Sequence, residues 1–340
     1  MQKIIIIEPN YLGDVLMTTP VIHILNKYVF GEKEITIIVH QKVKDALIGN
    51  PDIDHLIYYD RDRITERIKI LSFIKHLGPD YVFLFRTTFF NILLARMSKA
   101  KQTVGIDVYG SKFFLTHALS YDKNRNYRNE CLSIVNEVYP FLYHLRNELN
   151  RIVFSVSKED EKYIDELLFK NDIKENEKII VINPSTTRFA KLWLPQNYAF
   201  IIDYLIRNNF KVIITTTFSN LFFIKDILKE TKSQPIVFDN LSIKQLAALI
   251  KKSCLFISPD TGPMYIASAF NKNIISFFGS TDPQKYGPFN KLNHRIIYKN
   301  FPCSPCYKNY CPLVSKNKFS KCMENITEKE VLEEIKNFNL

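Results

Sequence analysis

Glycine is scarce in this chain, 9 in 340 residues, and tryptophan occurs once. So little glycine excludes a collagen-like or glycine-rich low-complexity chain, and neither a Walker P-loop spacing nor a Gly-x-Gly-x-x-Gly fingerprint occurs. Long apolar runs are missing as well. The opening MQKIIIIEPNYLGDVL has a short apolar core, but Glu8 and Asp14 interrupt it before it could serve as a signal-peptide core or a membrane span. The chain is therefore expected to stay in the cytoplasm, where the six cysteines read as reduced, metal-bound or buried thiols and not as a disulfide framework. Acid is lacking from one long stretch: residues 285–321 hold eight Lys/Arg and no Asp or Glu, while residues 86–128 hold eight against Asp107 and Asp122. With a net charge of +11, such fields attract polyanions. Charge alone is satisfied equally by nucleic acid, anionic lipid, a phosphorylated glycolipid and a plain solvated basic surface.

What is present is the composition of a globular α/β protein, 46% hydrophobic and 24% charged. A chain of 340 residues exceeds the size at which single cores stop growing, so two domains are expected. Apolar runs at Ile4–Ile7, Ile35–Val39, Leu56–Tyr59, Tyr81–Phe85 and Thr103–Ile106 alternate with helix-period segments near 14–28, 43–49, 64–76 and 89–99. The pattern restarts with strands at Ile179–Asn183, Lys211–Thr215, Ile236–Phe238, Leu255–Ser258 and Ile274–Phe278, and helices near 158–171, 197–208, 221–231, 242–252 and 263–270. Continuous Ile/Val/Phe runs without polar alternation suit parallel strands covered on both faces. The spacing predicts two doubly wound Rossmann-like domains, 1–155 and 175–325, with a C-terminal helix over 326–340. Ligands of such sheets sit outside the carboxyl ends of the strands, so the facing loops of the two domains are expected to enclose one cleft.

Three segments just after strands could carry chemistry. In Asn10-Tyr11-Leu12-Gly13-Asp14, Gly13 permits close backbone approach and Asp14 falls in a first helical turn, either as a general base on a hydroxyl or as a plain first-turn acid. The loop Asn183-Pro184-Ser185-Thr186-Thr187-Arg188-Phe189-Ala190-Lys191-Leu192-Trp193 combines hydroxyls, amides and two cations, which suits a diphosphate; its lone Trp can equally pack underneath. In Ser258-Pro259-Asp260-Thr261-Gly262-Pro263-Met264-Tyr265, Asp260 or Thr261 can cap a helix that Pro263 begins, leaving amides for a phosphate, or the cap can be structural only.

Together these segments resemble the ADP-heptose:lipopolysaccharide heptosyltransferases, glycosyltransferase family 9, through LGDVLMTTPVIHIL, NPDID, STTRFAKLW, SPDTGPMYIASAF, FFGSTDPQKYGP and CSPCYKNYCP. The resemblance covers nearly the whole chain. It implies the GT-B fold and inverting transfer of heptose from ADP-heptose to the Kdo or heptose of the lipopolysaccharide inner core. Asp14 then matches the base. Thr186, Thr187 and Lys191 match the diphosphate loop, with Lys191 stabilising the leaving group. Asp260, Thr261 and Gly262, with Tyr265, match the turn around the donor sugar and phosphate. Gly13, Arg63, Arg86 and Lys112 fall to the acceptor, a phosphorylated glycolipid of the lipid A and Kdo type at the cytoplasmic face of the inner membrane. Tyr265 stands where the family commonly has His, and Thr217-Phe218-Ser219-Asn220 lacks the family's acid near the ribose, so a different nucleotide sugar is the alternative donor.

Other constellations read more plainly. Asp52-Ile53-Asp54 has a DxD form but precedes its strand, so no metal and no cofactor are expected at the site. Cys303, Cys306, Cys311 and Cys322 could close a zinc site, although spacings of four and ten after the first CxxC match no standard finger, and reduced thiols are the alternative. A basic, cysteine-bearing nucleic-acid binder would leave LGD and DTG unexplained, so no nucleic-acid partner is expected. His23 and His117 read as packing, as do Cys131 and Cys254.

Overall fold

The isoleucine run at 4–7 becomes the middle of the first sheet, with all four side chains buried. The computed structural model describes residues 1–108, 110–287, 292–314 and 319–340. Pro288 of the FFGSTDPQKYGP segment, and Lys291, Lys316 and Lys318 of the acid-free stretch, lie outside the described residues. Two compact units divide the chain, Met1–Ser155 and Val156–Leu340.

The first unit carries β1 (Gln2–Ile7), α1 (Leu12–Tyr28), β2 (Lys33–His40), β3 (His55–Tyr59), α2 (Ile64–Ile74), β4 (Tyr81–Leu84), α3 (Phe89–Met97), β5 (Gln102–Ile106), β6 (His117–Leu119) and α4 (Tyr127–Asn136). The strands lie in the order β3-β2-β1-β4-β5-β6, and every pairing is parallel. The chain builds outward from β1 to β3, then crosses over to β4 on the other side of β1. The switch point therefore lies between β1 and β4.

The second unit repeats the plan with α5 (Lys158–Lys170), β7 (Ile179–Ile182), α6 (Pro195–Arg207), β8 (Lys211–Thr215), α7 (Leu221–Glu230), β9 (Ile236–Phe238), α8 (Ile243–Lys252), β10 (Leu255–Pro259), α9 (Gly262–Ala269), β11 (Asn273–Phe278), α10 (Pro283–Tyr286), β12 (His294–Tyr298), α11 (Lys321–Glu324) and α12 (Glu328–Asn337). Its order is β12-β11-β10-β7-β8-β9, again all parallel, so its switch point lies between β7 and β10. Helix α12 packs on α6, β11 and β12 within this unit. The segment expected as a helix near 43–49 is a 3-10 turn, Gln41–Ala46, entered through the His40 ring, which accepts from the Lys42 amide.

Local sequence explains where the helices begin. Ser242 and Gln245 form a capping box on α8, Thr327 and Glu330 form one on α12, and the Ser157 hydroxyl caps α5 above three first-turn acids. Helices α1 and α9 begin instead at Tyr11 and Thr261 without a side-chain cap. Inside α1, Pro20 cannot donate to the Leu16 carbonyl, and the Thr19 hydroxyl takes that carbonyl at 2.8 Å. Thr19 Oγ1 also accepts the Val153 amide at 3.0 Å, which ties α1 to the end of its unit.

Candidate functional site

In a doubly wound sheet, the segments leaving the two strands beside the switch point diverge and leave a crevice. In the first unit those segments follow β1 and β4. Asp14 stands half-buried in the first turn of α1, where the helix dipole favours a carboxylate. Directly after β1 comes Glu8, only 2% exposed, with Oε1 and Oε2 at 3.0 and 2.9 Å from the Thr18 hydroxyl. Burial, with the charge of Asp14 adding to it, pushes the Glu8 carboxyl up to about 8 against the pull of the Thr18 bond. Across the switch, the Tyr127 hydroxyl donates to the Phe85 carbonyl at 3.0 Å. Burial raises the Tyr127 hydroxyl and the Cys131 thiol well above their ordinary ranges, and the neighbouring acids act the same way. Sequence reading passed over Glu8 except as a break in an apolar run. Its only signal is an acid that ends a strand four-fifths isoleucine from Lys3 onward.

Three of the residues expected to meet the acceptor, Arg63, Arg86 and Lys112, follow β3, β4 and β5, so parallel strand direction places them along the same edge of the sheet as Asp14. Arg63, Arg86 and Lys112 are exposed; Arg63 reaches Asp60 at 3.4 Å and Lys112 lies 5.4 Å from the Phe113 ring centre. Gly13 is half-buried. That edge also holds His40, Asp60 and Asp62, whose ligand-type atoms lie within 4.8 Å of one another. Their hydrogen-bonding capacity is engaged: His40 takes the Lys42 amide at 3.0 Å, Asp60 takes Gln41 Nε2 at 2.9 Å and the Asp62 amide at 3.0 Å, and Asp62 takes Lys42 Nζ at 2.9 Å. The group fastens a loop.

The second unit presents the other two motifs at its own switch point. Lys191 and Asp260, predicted separately, form one buried pair: Lys191 Nζ lies 2.5 Å from Asp260 Oδ2 and 3.1 Å from the Asp260 carbonyl. The Thr281 hydroxyl donates to the same Oδ2 at 2.6 Å. An ammonium has three donors, so one remains for a further acceptor. The Asp260 carboxylate is thus not the cap of α9. Neither is Thr261, whose Oγ1 is buried without a hydrogen-bond partner, as are Ser258 Oγ and Ser280 Oγ. Buried hydroxyls without partners are uncommon, and these three belong to the end of β10, the uncapped start of α9 and the segment just after β11. Gly262 opens that helix. Thr186 accepts the Arg188 amide at 3.3 Å, and Thr187 is exposed. Tyr265 is buried and its hydroxyl donates to the Tyr286 carbonyl, so it clamps the segment after β11. Trp193 packs beneath the loop, fully buried against Tyr198 and Phe277, with Nε1 donating to the Ile326 carbonyl at 2.8 Å.

The cysteine-bearing tail braces this loop. The Ala190 amide donates to the Asn309 carbonyl at 2.9 Å, Phe189 stacks on Tyr310 at 5.3 Å, and the Tyr307 amide donates to the Ser280 carbonyl at 2.7 Å. Burial first, then Cys311, Cys303 and Cys306, push the Cys322 thiol up to about 11, so the four sulfurs share one neighbourhood. Among the described residues they do not gather three ligand atoms within 4.8 Å. The sequence also missed Ser280 and Thr281, although both stand in the FFGST segment just after β11.

Comparison with known proteins agrees with this layout. Lipooligosaccharide heptosyltransferase 2 of Campylobacter jejuni is 26% identical over 343 residues, covering 98% of this chain and 98% of that protein. Among solved structures, a family 9 glycosyltransferase of Veillonella parvula has a TM-score of 0.85 at 19% identity, covering 99% of this chain and 97% of its own. The ADP-heptose lipopolysaccharide heptosyltransferase II of E. coli has a TM-score of 0.79 at 17% identity, covering 99% and 98%. These likenesses place the two parallel sheets in the GT-B class. The family model described as glycosyltransferase family 9 (heptosyltransferase) matches residues 71–316, well over half of the chain, and the protein belongs to that family.

Proposed function

We propose that the protein transfers heptose from ADP-heptose to a Kdo or heptose of the lipopolysaccharide inner core, inverting the anomeric carbon. One observation carries the reading: each motif group falls at the switch point of its own sheet, a carboxylate at one, a cation with donor-rich hydroxyls at the other. The Campylobacter relative is named for heptosyl transfer to lipooligosaccharide, and the E. coli structure for ADP-heptose and lipopolysaccharide. Asp14 removes the proton of the acceptor hydroxyl. The oxygen bonds to the anomeric carbon from the face opposite the diphosphate, the bond from that carbon to the β-phosphate oxygen breaks, and ADP departs. Lys191, Thr186, Thr187 and the start of α9 at Thr261 and Gly262 hold the diphosphate and meet its developing charge, so no divalent cation is called on. Replacing Asp14 by Asn should lower turnover by about 10²–10⁴-fold while ADP still raises the melting temperature. Turnover at the unaltered rate would remove Asp14 as the base.

A different nucleotide sugar on the same machinery is the second reading. It is favoured by the acid-free stretch at 217–220 and by the commitment of the Tyr265 hydroxyl to Tyr286.

The acceptor side meets a phosphorylated glycolipid through Gly13, Arg63, Arg86 and Lys112. No described helix is long and apolar enough to cross a membrane. Along the same sheet edge, however, Tyr11, Ile64, Phe89 and Phe113 are exposed between those cations, a mixture suited to peripheral contact with an anionic membrane surface. Cosedimentation with vesicles containing an anionic lipid, lost in Phe113→Ser and Lys112→Glu, tests this contact. Equal pelleting of the variants would discard it.

A further inference from the structure

We propose that Cys303, Cys306, Cys311 and Cys322 form a structural site for one thiophilic divalent cation of the zinc type, which fastens the tail to the segment leaving β11. The proposal concerns the second unit alone and stands whichever nucleotide sugar the protein uses.

The backbone gathers the four cysteines although their spacing in sequence follows no standard finger. Ser304, between Cys303 and Cys306, donates to the Gly279 carbonyl, and the Tyr307 amide, next to Cys306, donates to the Ser280 carbonyl at 2.7 Å. Cys322 reaches the same segment from α11: its Sγ stands 2.8 Å from where a Cβ on Gly279 would lie. Only glycine leaves that sulfur its room. Cys311 arrives by another route. An antiparallel bridge joins Val314 to Ser320, so the segment before Val314 runs back alongside the segment after Ser320, Cys311 on one and Cys322 on the other. The remaining three thiols are near enough to bear on the charge of Cys322.

The donor set selects the ion. Residues 285–321, which contain three of the cysteines and end beside the fourth, hold eight Lys/Arg and no Asp or Glu. Such a stretch offers no carboxylate to a calcium- or magnesium-type ion, and its cations favour thiolate over thiol. Four sulfurs and no carboxylate suit a tetrahedral, closed, structural site. Cys303 and Cys306 supply the Cys-x-x-Cys pair with which such sites begin. With metal–sulfur bonds of about 2.3 Å, the sulfurs of a tetrahedron stand roughly 3.8 Å apart. As the side chains lie, no three of them are within 4.8 Å of one another. Binding therefore turns the exposed Cys303 and the half-buried Cys306 and Cys311 toward Cys322, which is buried and held by its packing. Each thiol gives its proton to solvent and its electron pair to the ion, so no oxidant is required. Since the tail braces Ala190 and Phe189, the ion would hold that brace in place.

The test is metal analysis of the full chain, reduced, incubated with zinc chloride and dialysed against metal-free buffer. About one zinc per chain is expected in the unaltered protein, lost in Cys303→Ser and kept in Cys254→Ser, whose thiol bonds to the Ile179 carbonyl at the opposite end of the sheet. Cys303 is exposed, so its replacement leaves the core intact. A chelator should also lower the melting temperature of the unaltered protein and leave that of Cys303→Ser unchanged. Cobalt(II) in place of zinc gives a readout independent of any variant: a near-ultraviolet sulfur-to-metal band with strong visible bands marks tetrahedral thiolate ligation and supports the proposal. The weak spectrum of an octahedral, oxygen-ligated ion overturns it, as do a zinc-free unaltered chain and equal zinc content in Cys303→Ser.

Discussion

At the scale of single residues, the pair of Lys191 and Asp260 shows why a site is more than its motif members. Both were visible in the sequence, one as a cation of a hydroxyl-rich loop and one as an acid before a helix, but 69 positions separate them and nothing in their spacing joins them. Folding makes each the condition of the other: Asp260 neutralises a buried ammonium and aims it, while Thr281 fixes the carboxylate. Removing one member of a buried pair leaves an uncompensated charge, at a cost of about 3–5 kcal/mol. Asp260→Asn should therefore lower the denaturant midpoint markedly while leaving m unchanged, whereas Lys191→Ala should lower kcat/KM by about 10²–10³-fold through lost stabilisation of the departing diphosphate. Equal kcat/KM in Lys191→Ala would remove it from the reaction. Glu8 was legible only as an interruption, because what distinguishes it, burial with both oxygens on the Thr18 hydroxyl, exists only once α1 and β1 have packed together.

At the scale of elements, the central strands could be read because burial on both faces favours unbroken apolar runs, as in Ile4–Ile7 and Ile179–Ile182. Two of the four edge strands could not, although β3 and β9 could. HAL in β6 is three residues long, and HRIIY in β12 opens with two polar residues, so neither carries the signal. Helix α4 escaped for a related reason: its sequence YRNECLSIVN looks polar, yet Arg128 and Glu130 are buried with its apolar side chains. The tail over 301–322 gave only its cysteines and its cations, while its mechanical role depends on contacts to distant loops. Those contacts converge on Gly279 after β11. Ser304 donates to its carbonyl, and a Cβ added there would stand 2.6 Å from Met323 Sδ and 2.8 Å from Cys322 Sγ. Met323 is fully buried and has little room to yield. Gly279→Ala should cost about 1–3 kcal/mol by overpacking, and since the tail braces Ala190 and Phe189 it should also raise the donor KM more than the acceptor KM. An unchanged melting temperature would show that the tail yields freely at this point.

At the scale of the whole molecule, the duplication of plan has a thermodynamic consequence. Each unit carries its own apolar core: one gathers Ile5, Ile7, Val82 and Leu84, the other Ile180, Ile257, Trp193 and Phe277. Chains with two cores need not unfold in one step. The scarcity of tryptophan turns this into a measurement, because the one indole, Trp193, is fully buried in the second unit, in the loop between β7 and α6. Its fluorescence follows that unit alone, while far-UV circular dichroism follows the helices of both. In urea the two signals should give different midpoints. A ligand that binds only folded protein stabilises it by about 2.7 kcal/mol at a hundredfold excess over Kd, so a cognate nucleotide sugar should move the fluorescence transition and leave the remaining part of the dichroism transition where it was. Run across a panel of nucleotide sugars, the same titration decides between the two donors. A shift with ADP-heptose that exceeds the rest supports heptosyl transfer, and a larger shift with another nucleotide sugar favours the second reading. If fluorescence and dichroism coincide at every ligand concentration, the two units unfold as one, and the assignment of the donor to the second unit loses this support.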